Sequence, residues 1–146
     1  MYKTQTATRI LSVLAALFLL LASLTACSGG ITREEAKTAM DSLLSALDNE
    51  NYAEAAALYH PDAAMTEELL AAFAEQVKTK VGIDLTEGAV VEKITGMSSS
   101  YYDSNVDGSR YALTAKIKVG DKTADLTVEV IRNDRGYGIF KVECNP

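Results

Sequence analysis

From Arg110 to Val119 the odd positions are Tyr111, Leu113, Ala115, Ile117 and Val119, and the even positions are Arg110, Ala112, Thr114, Lys116 and Lys118. A period of two sends successive side chains to opposite faces, so this segment predicts a half-buried β-strand. Gly120-Asp121 supplies a two-residue hairpin turn, after which Ala124, Leu126, Val128 and Val130 resume with the opposite parity. That turn pairs Ile117 with Ala124, Ala115 with Leu126 and Leu113 with Val128, while Lys116 meets Asp125 on the other face. The apolar and charged patterns therefore choose one register. Asn133-Asp134-Arg135-Gly136 turns the chain again. The register that sets Glu129 opposite Lys141 and Ile131 opposite Ile139 is preferred, because a slip of two residues would oppose Asp125 and Glu143.

Upstream the period is that of a helix. Thr32-Arg33-Glu34-Glu35 reads as a capping box, and Ala36, Met40, Leu43, Leu44 and Leu47 follow at helical spacing, predicting a first helix over about 33–48. Asn51 is placed to cap a second, short helix through Tyr59 that Pro61 stops. Thr66-Glu67-Glu68 opens a third, with Leu69, Leu70, Phe73 and Val77 on its inner face and Gly82 at its end. Between the third helix and the alternating strands, Gly88 to Tyr102 reads as an irregular strand. Its apolar parity switches between Val90/Ile94 and Met97/Tyr101, with Gly96 at the switch, which predicts a bulge. Three helices followed by a four-stranded antiparallel meander make an α+β domain with the helices on one sheet face.

The extreme N-terminus follows neither period. Residues 1–9 are polar and positive, and Ile10 to Leu24 run apolar but for Ser12 and Ser23. A spanning helix needs roughly 20 apolar residues, so this run suits a signal-peptide h-region better than an anchor. It ends in Leu24-Thr25-Ala26-Cys27, which resembles a bacterial lipobox, in which the cysteine is lipidated as the segment is removed. The expected organisation is a signal peptide over 1–26, a lipidated Cys27 with a short linker over 27–32, and one α+β domain over 33–146. The implied place is the extracytoplasmic face of a bacterial membrane, with the outer leaflet of a Gram-positive cell preferred.

Composition sharpens the picture in two ways. Without Lys3 and Arg9 of the leader, the 14 basic residues fall to 12 against 20 acids over 120 residues, a formal charge of −8. Such a surface argues against nucleic acid, whose binding depends on Lys and Arg neutralising phosphates. The two cysteines are Cys27 and Cys144, so lipidation of the first leaves Cys144 without an intramolecular partner, read as a small core residue.

The stretch Leu43-Leu44-Ser45-Ala46-Leu47-Asp48-Asn49-Glu50-Asn51-Tyr52-Ala53-Glu54-Ala55-Ala56, with Leu58-Tyr59-His60-Pro61-Asp62-Ala63 after it, resembles the opening of nuclear transport factor 2-like (cystatin-like α+β) domains. Over about residues 33–144 the chain also resembles short bacterial lipoprotein domains of unassigned function with this helix-then-sheet order. The resemblance implies helices packed on a curved sheet, and the superfamily includes ketosteroid isomerase and SnoaL-type cyclases. The enzyme members usually place a small hairpin before their third helix, whereas here Pro61 to Met65 alone fills that interval.

Each candidate for chemistry has a plainer counterpart. His60, the one histidine, is a general acid/base candidate, but without a second His or a placed carboxylate it reads as a helix-terminal residue. Asp103, Asn105 and Asp107, followed by Gly108, match the start of a calcium loop. The twelfth position is Thr114 where a bidentate Glu is needed, and the same residues suit a hairpin loop. Tyr59, Tyr101 and Tyr111 are candidates for a small pocket. The predicted inward positions (Tyr111, Leu113, Ala115, Ile117, Val119, Ala124, Leu126, Val128, Val130, Phe140, Val142, Cys144) include no Asp, Glu or His. An isomerase- or cyclase-like enzyme, the alternative function, would have to use Glu92 or a tyrosine with His60. The expectation is therefore a non-catalytic envelope module without cofactor, which binds a protein or a small apolar ligand. Ile131, Tyr137 and Ile139 are expected to form an apolar end of the outward face, a candidate surface for a protein partner or a homodimer.

Overall fold

The computed structural model describes residues 30–100 and 107–146. The expected leader and Cys27 lie outside the described residues, as do Tyr101, Asp103 and Asn105.

Helix α1 (Arg33–Asp48) begins where the capping box predicts. The Thr32 hydroxyl accepts the Glu35 N–H at 3.2 Å and Glu35 Oε2 accepts the Thr32 N–H at 2.8 Å, which satisfies two of the free donors of the first turn. Ala36, Met40, Leu43, Leu44 and Leu47 form its buried stripe. Helix α2 (Tyr52–Ala57) starts at Asn51, whose Oδ1 accepts the Glu54 N–H. It ends two residues short of the expected Tyr59, because Tyr59 leaves the helix to pair with a strand. A 3₁₀ turn (Pro61–Ala63) leads to α3 (Glu67–Lys80), capped by the Thr66 hydroxyl. The buried stripe of α3 is Leu70, Ala74 and Val77. Leu69, expected inside, is 53% exposed, because it stands about a quarter-turn off that stripe. At the C-terminus the Val81 and Gly82 N–H groups both reach the Val77 carbonyl, and Gly82 takes φ +82°, which a side chain would resist.

Strands β1 (Val90–Ser100), β2 (Ser109–Val119), β3 (Lys122–Asn133) and β4 (Gly136–Asn145) form an antiparallel sheet in the order β1-β2-β3-β4. The domain is thus α+β with the expected meander. The β2–β3 register pairs Ile117 with Ala124, Ala115 with Leu126 and Lys116 with Asp125, as the patterns require. Leu113, Ala115, Ile117, Leu126 and Val128 are fully buried and share one core with Met40, Leu43 and Leu47 of α1 and with Leu70.

Two departures occur in the outer strands. The β3–β4 register holds from Asp125–Asn145 to Glu129–Lys141, then slips by one residue, so that Val130 faces Ile139 and Ile131 faces Gly138. Phe140 is the extra residue of this bulge. Strand parity places it in the core, but it lies half-buried beneath the Arg110 guanidinium, which is 4.9 Å from its ring centroid. Ile139, expected outside, is fully buried and joins the core. The outward trio of Ile131, Tyr137 and Ile139 therefore does not exist as expected. In β1 the register shifts twice, between Val91 and Lys93 and between Ile94 and Gly96, where one bulge was predicted.

Candidate functional site

The best-organised polar cluster sits where the segment after α2 meets the β3–β4 hairpin. Tyr59 bridges to Ile139 in parallel: the Ile139 N–H donates to the Leu58 carbonyl at 2.9 Å, and the His60 N–H donates to the Ile139 carbonyl at 2.8 Å. Gly138 makes this approach feasible, since a Cβ there would stand 2.7 Å from the Tyr59 carbonyl carbon. The result covers part of the β4 edge and carries His60 into the interior, where it is 1% exposed.

Both ring nitrogens of His60 are engaged. Nδ1 accepts the Asp62 N–H at 3.1 Å, so the proton resides on Nε2, which donates to Asn133 Oδ1 at 2.9 Å. The Asn133 oxygen also accepts the Arg135 N–H, and its amide donates to Asp62 Oδ2 and to the Asp107 carbonyl. Asp62 closes the cluster with Arg135, whose Nε lies 2.8 Å from Oδ2, and this guanidinium holds the Asp62 carboxyl below its ordinary range. Every polar atom of the His60 ring is thereby spent on positioning two loops, which is structural work. Of this cluster, sequence reasoning found only His60. Asn133 and Arg135 stand in the sequence as turn residues, and only their pairing across 73 positions reveals them.

The remaining candidates do not converge on His60. Glu92 is on β1, the opposite edge of the sheet from the strand that His60 flanks, a separation of about 14 Å across three strand spacings. Glu92 instead borders an open groove of about 530 Å³ between α1 and β1, with Arg33, Lys37, Asp41 and Lys93. Tyr59 and Tyr111 are each 8% exposed and belong to the core, and Tyr111 directs its hydroxyl at Met97 Sδ, 3.4 Å away. The Tyr59 hydroxyl is buried without a hydrogen-bond partner among the described residues, and burial pushes its pKa well above the ordinary value. Asp107 is exposed, and among the described residues no cluster of three or more His, Cys, Asp or Glu side chains is arranged to hold a metal. Thr114, at the twelfth position of the calcium-like loop, spends its hydroxyl on Thr127 at 2.9 Å.

Cys144 packs half-buried against the core, beside a groove of about 360 Å³ between α3 and the end of β4. Burial, with the nearby Asp125 charge, pushes its thiol up to about 11, so little thiolate exists near neutral pH. A third groove, of about 340 Å³, is mainly apolar. Ala39, Leu58 and Tyr137 supply its apolar lining, and Glu34, Glu35, Thr38 and Ser42 complete it. Its position is fixed by a strap that sequence reasoning missed. Arg132 pairs with Glu35 at 2.6 Å and stacks 4.9 Å from the Tyr137 ring centroid, while the Tyr137 hydroxyl donates to the Glu35 carbonyl. Burial would raise the Glu35 pKa, but its bonds to the Thr32 N–H, Arg132 and the Thr32 hydroxyl outweigh that and leave it below the ordinary value. Burial pushes the Tyr137 hydroxyl up to about 12.

Comparison of the chain with protein-family models, with curated proteins and with solved structures finds no match.

Proposed function

We propose that the protein is a lipid-anchored module on the extracytoplasmic face of a bacterial membrane, and that its domain binds or positions a partner without catalysing a reaction. Its fold is read as a small relative of the nuclear transport factor 2-like domains. The anchor rests on the sequence: a positive n-region, a 15-residue apolar run and Leu24-Thr25-Ala26-Cys27.

One observation carries the binding role over the isomerase-like one. His60, the one side chain suited to proton transfer near neutral pH, has both ring nitrogens committed to Asp62 and Asn133, with Glu92 at the far sheet edge. A general base must reach the proton that it abstracts, and His60 has no free nitrogen for one. The inward strand positions are filled by Leu113, Ala115, Ile117, Leu126 and Val128, packed against α1. The working parts are then the exposed grooves.

Metabolic labelling with a palmitate analogue tests the anchor. The wild-type chain takes the label, and Cys27→Ser abolishes it. Equal labelling of the two chains overturns the proposal.

A further inference from the structure

The apolar groove formed by Ala39, Leu58 and Tyr137 lies at the end of the domain where the tether enters. Ile31 is buried at 8% exposure, so the chain is fixed to the core from Ile31 onward. Cys27 is four residues before it and so lies at most about 14 Å away, even fully extended. Tyr137 belongs to the same end, because its hydroxyl bonds the Glu35 carbonyl in the first turn of α1. From these facts, and resting on the lipidation proposed above, we infer that this groove docks on the membrane that holds the anchor. Leu58 and the Tyr137 ring then sit at the boundary between headgroups and acyl chains.

Three considerations favour a bilayer as the occupant. The tether keeps the bilayer at a high effective concentration next to the groove, so a small apolar surface suffices for occupancy. Tyr137, 40% exposed, is an amphipathic ring with its hydroxyl already satisfied, the kind of side chain that suits a membrane interface. Two acids at this end are neutralised locally, Glu35 by Arg132 and Asp62 by Arg135, while Glu34 beside the groove and Asp134 in the β3–β4 turn stay exposed. Pairing of Glu35 and Asp62 lessens, without abolishing, the repulsion from an anionic leaflet. The opposite end, at the Gly120-Asp121 turn, then points away from the membrane. Tyr137 pairs with Arg132, so the run of β3 from Lys122 to Arg132 puts the turn about 35 Å from the Tyr137 end.

The sequence contains no tryptophan, so one introduced indole reports alone. Full-length chains carrying Tyr137→Trp or Asp121→Trp are expressed in bacteria, purified as the lipidated protein and reconstituted in phosphatidylethanolamine–phosphatidylglycerol vesicles with brominated acyl chains. Palmitate labelling confirms the anchor on each chain, and circular dichroism confirms the fold. The expected result is that the Tyr137→Trp chain loses most of its emission to bromine quenching while the Asp121→Trp chain keeps its own. A Leu58→Trp chain, quenched like Tyr137→Trp, guards against a local effect of the first substitution. Label present with no quenching at Tyr137→Trp and Leu58→Trp, as when a protein covers the groove, overturns this inference and leaves the anchor standing. Equal quenching of all three chains also overturns it. Absence of label overturns the anchor and this inference together.

Discussion

The backbone of His60 occupies the space in which a side chain on Gly138 would stand: a Cβ there would lie 2.9 Å from His60 Cα. This contact is what allows the Tyr59–His60 segment to join the β4 edge and end α2 early. Gly138→Ala forces the two segments apart, and overpacking of that kind costs about 1–3 kcal/mol. Gly30, with nothing within 4 Å of its own virtual Cβ, is the control, and Gly30→Ala should change stability by less than about 0.5 kcal/mol. Urea unfolding of the purified protein checks both, and equal midpoints would show that the contact relaxes freely.

The second consequence concerns coupling between His60 and Asn133. Asn133→Ala leaves the Nε2–H of a residue that is 1% exposed without its acceptor, a loss of about 1–3 kcal/mol. His60→Ala removes buried volume and also frees the Asp62 N–H, so it should cost at least as much. Because the two share one hydrogen bond, the double variant should cost less than the sum of the singles by more than about 0.5 kcal/mol. Strict additivity in denaturant unfolding would mean that the ring and the amide act independently.

Much of the fold is legible wherever one local rule governs. The Thr32–Glu35 box places the start of α1, and alternation from Arg110 to Val130 fixes both the β2–β3 register and its buried face. Legibility fails where a distant contact overrides the local rule. Parity assigns Phe140 to the core and Ile139 to solvent, but the bulge between Lys141 and Ile139 exchanges them, and no residue in β4 announces it. Tyr59 continues a helical pattern on paper and leaves it for a strand 80 positions later. The polar cluster was half visible for the same reason. His60 is conspicuous as the one histidine, whereas Asn133 and Arg135 suit a turn whether or not a histidine lies beneath them.

That exchange gives a direct test of the outer register. Ile139 is fully buried in the core, so Ile139→Ala should cost about 2–4 kcal/mol. Phe140 is half-buried against Arg110, so Phe140→Ala should cost less despite its larger side chain. Regular alternation through β4 requires the opposite order. Thermal or urea unfolding of the two variants decides, and a larger loss for Phe140→Ala would restore the unbulged register.

Acid sensitivity should trace in part to Asp84, which ties the end of α3 to the loop that follows it. Its carboxylate pairs with Lys78 at 2.7 Å and accepts bonds from the hydroxyl and backbone N–H of Thr86. The Lys78 contact is the largest influence, and together these bonds push its pKa down to about 2 from an ordinary 3.8. A carboxylate depressed by folding stabilises the native state fully above its unfolded pKa, so this contribution is intact above about pH 5. It is lost progressively as the pH falls from about 4 towards 2, where the folded group also takes up its proton. Asp84→Asn removes that dependence at the outset. The variant should be less stable than wild type near neutral pH, and the gap should narrow as the solution is acidified towards about pH 2. Thermal midpoints across that range provide the measurement, and a gap that stays constant with pH would show that the Lys78 and Thr86 contacts do not favour the ionised carboxylate.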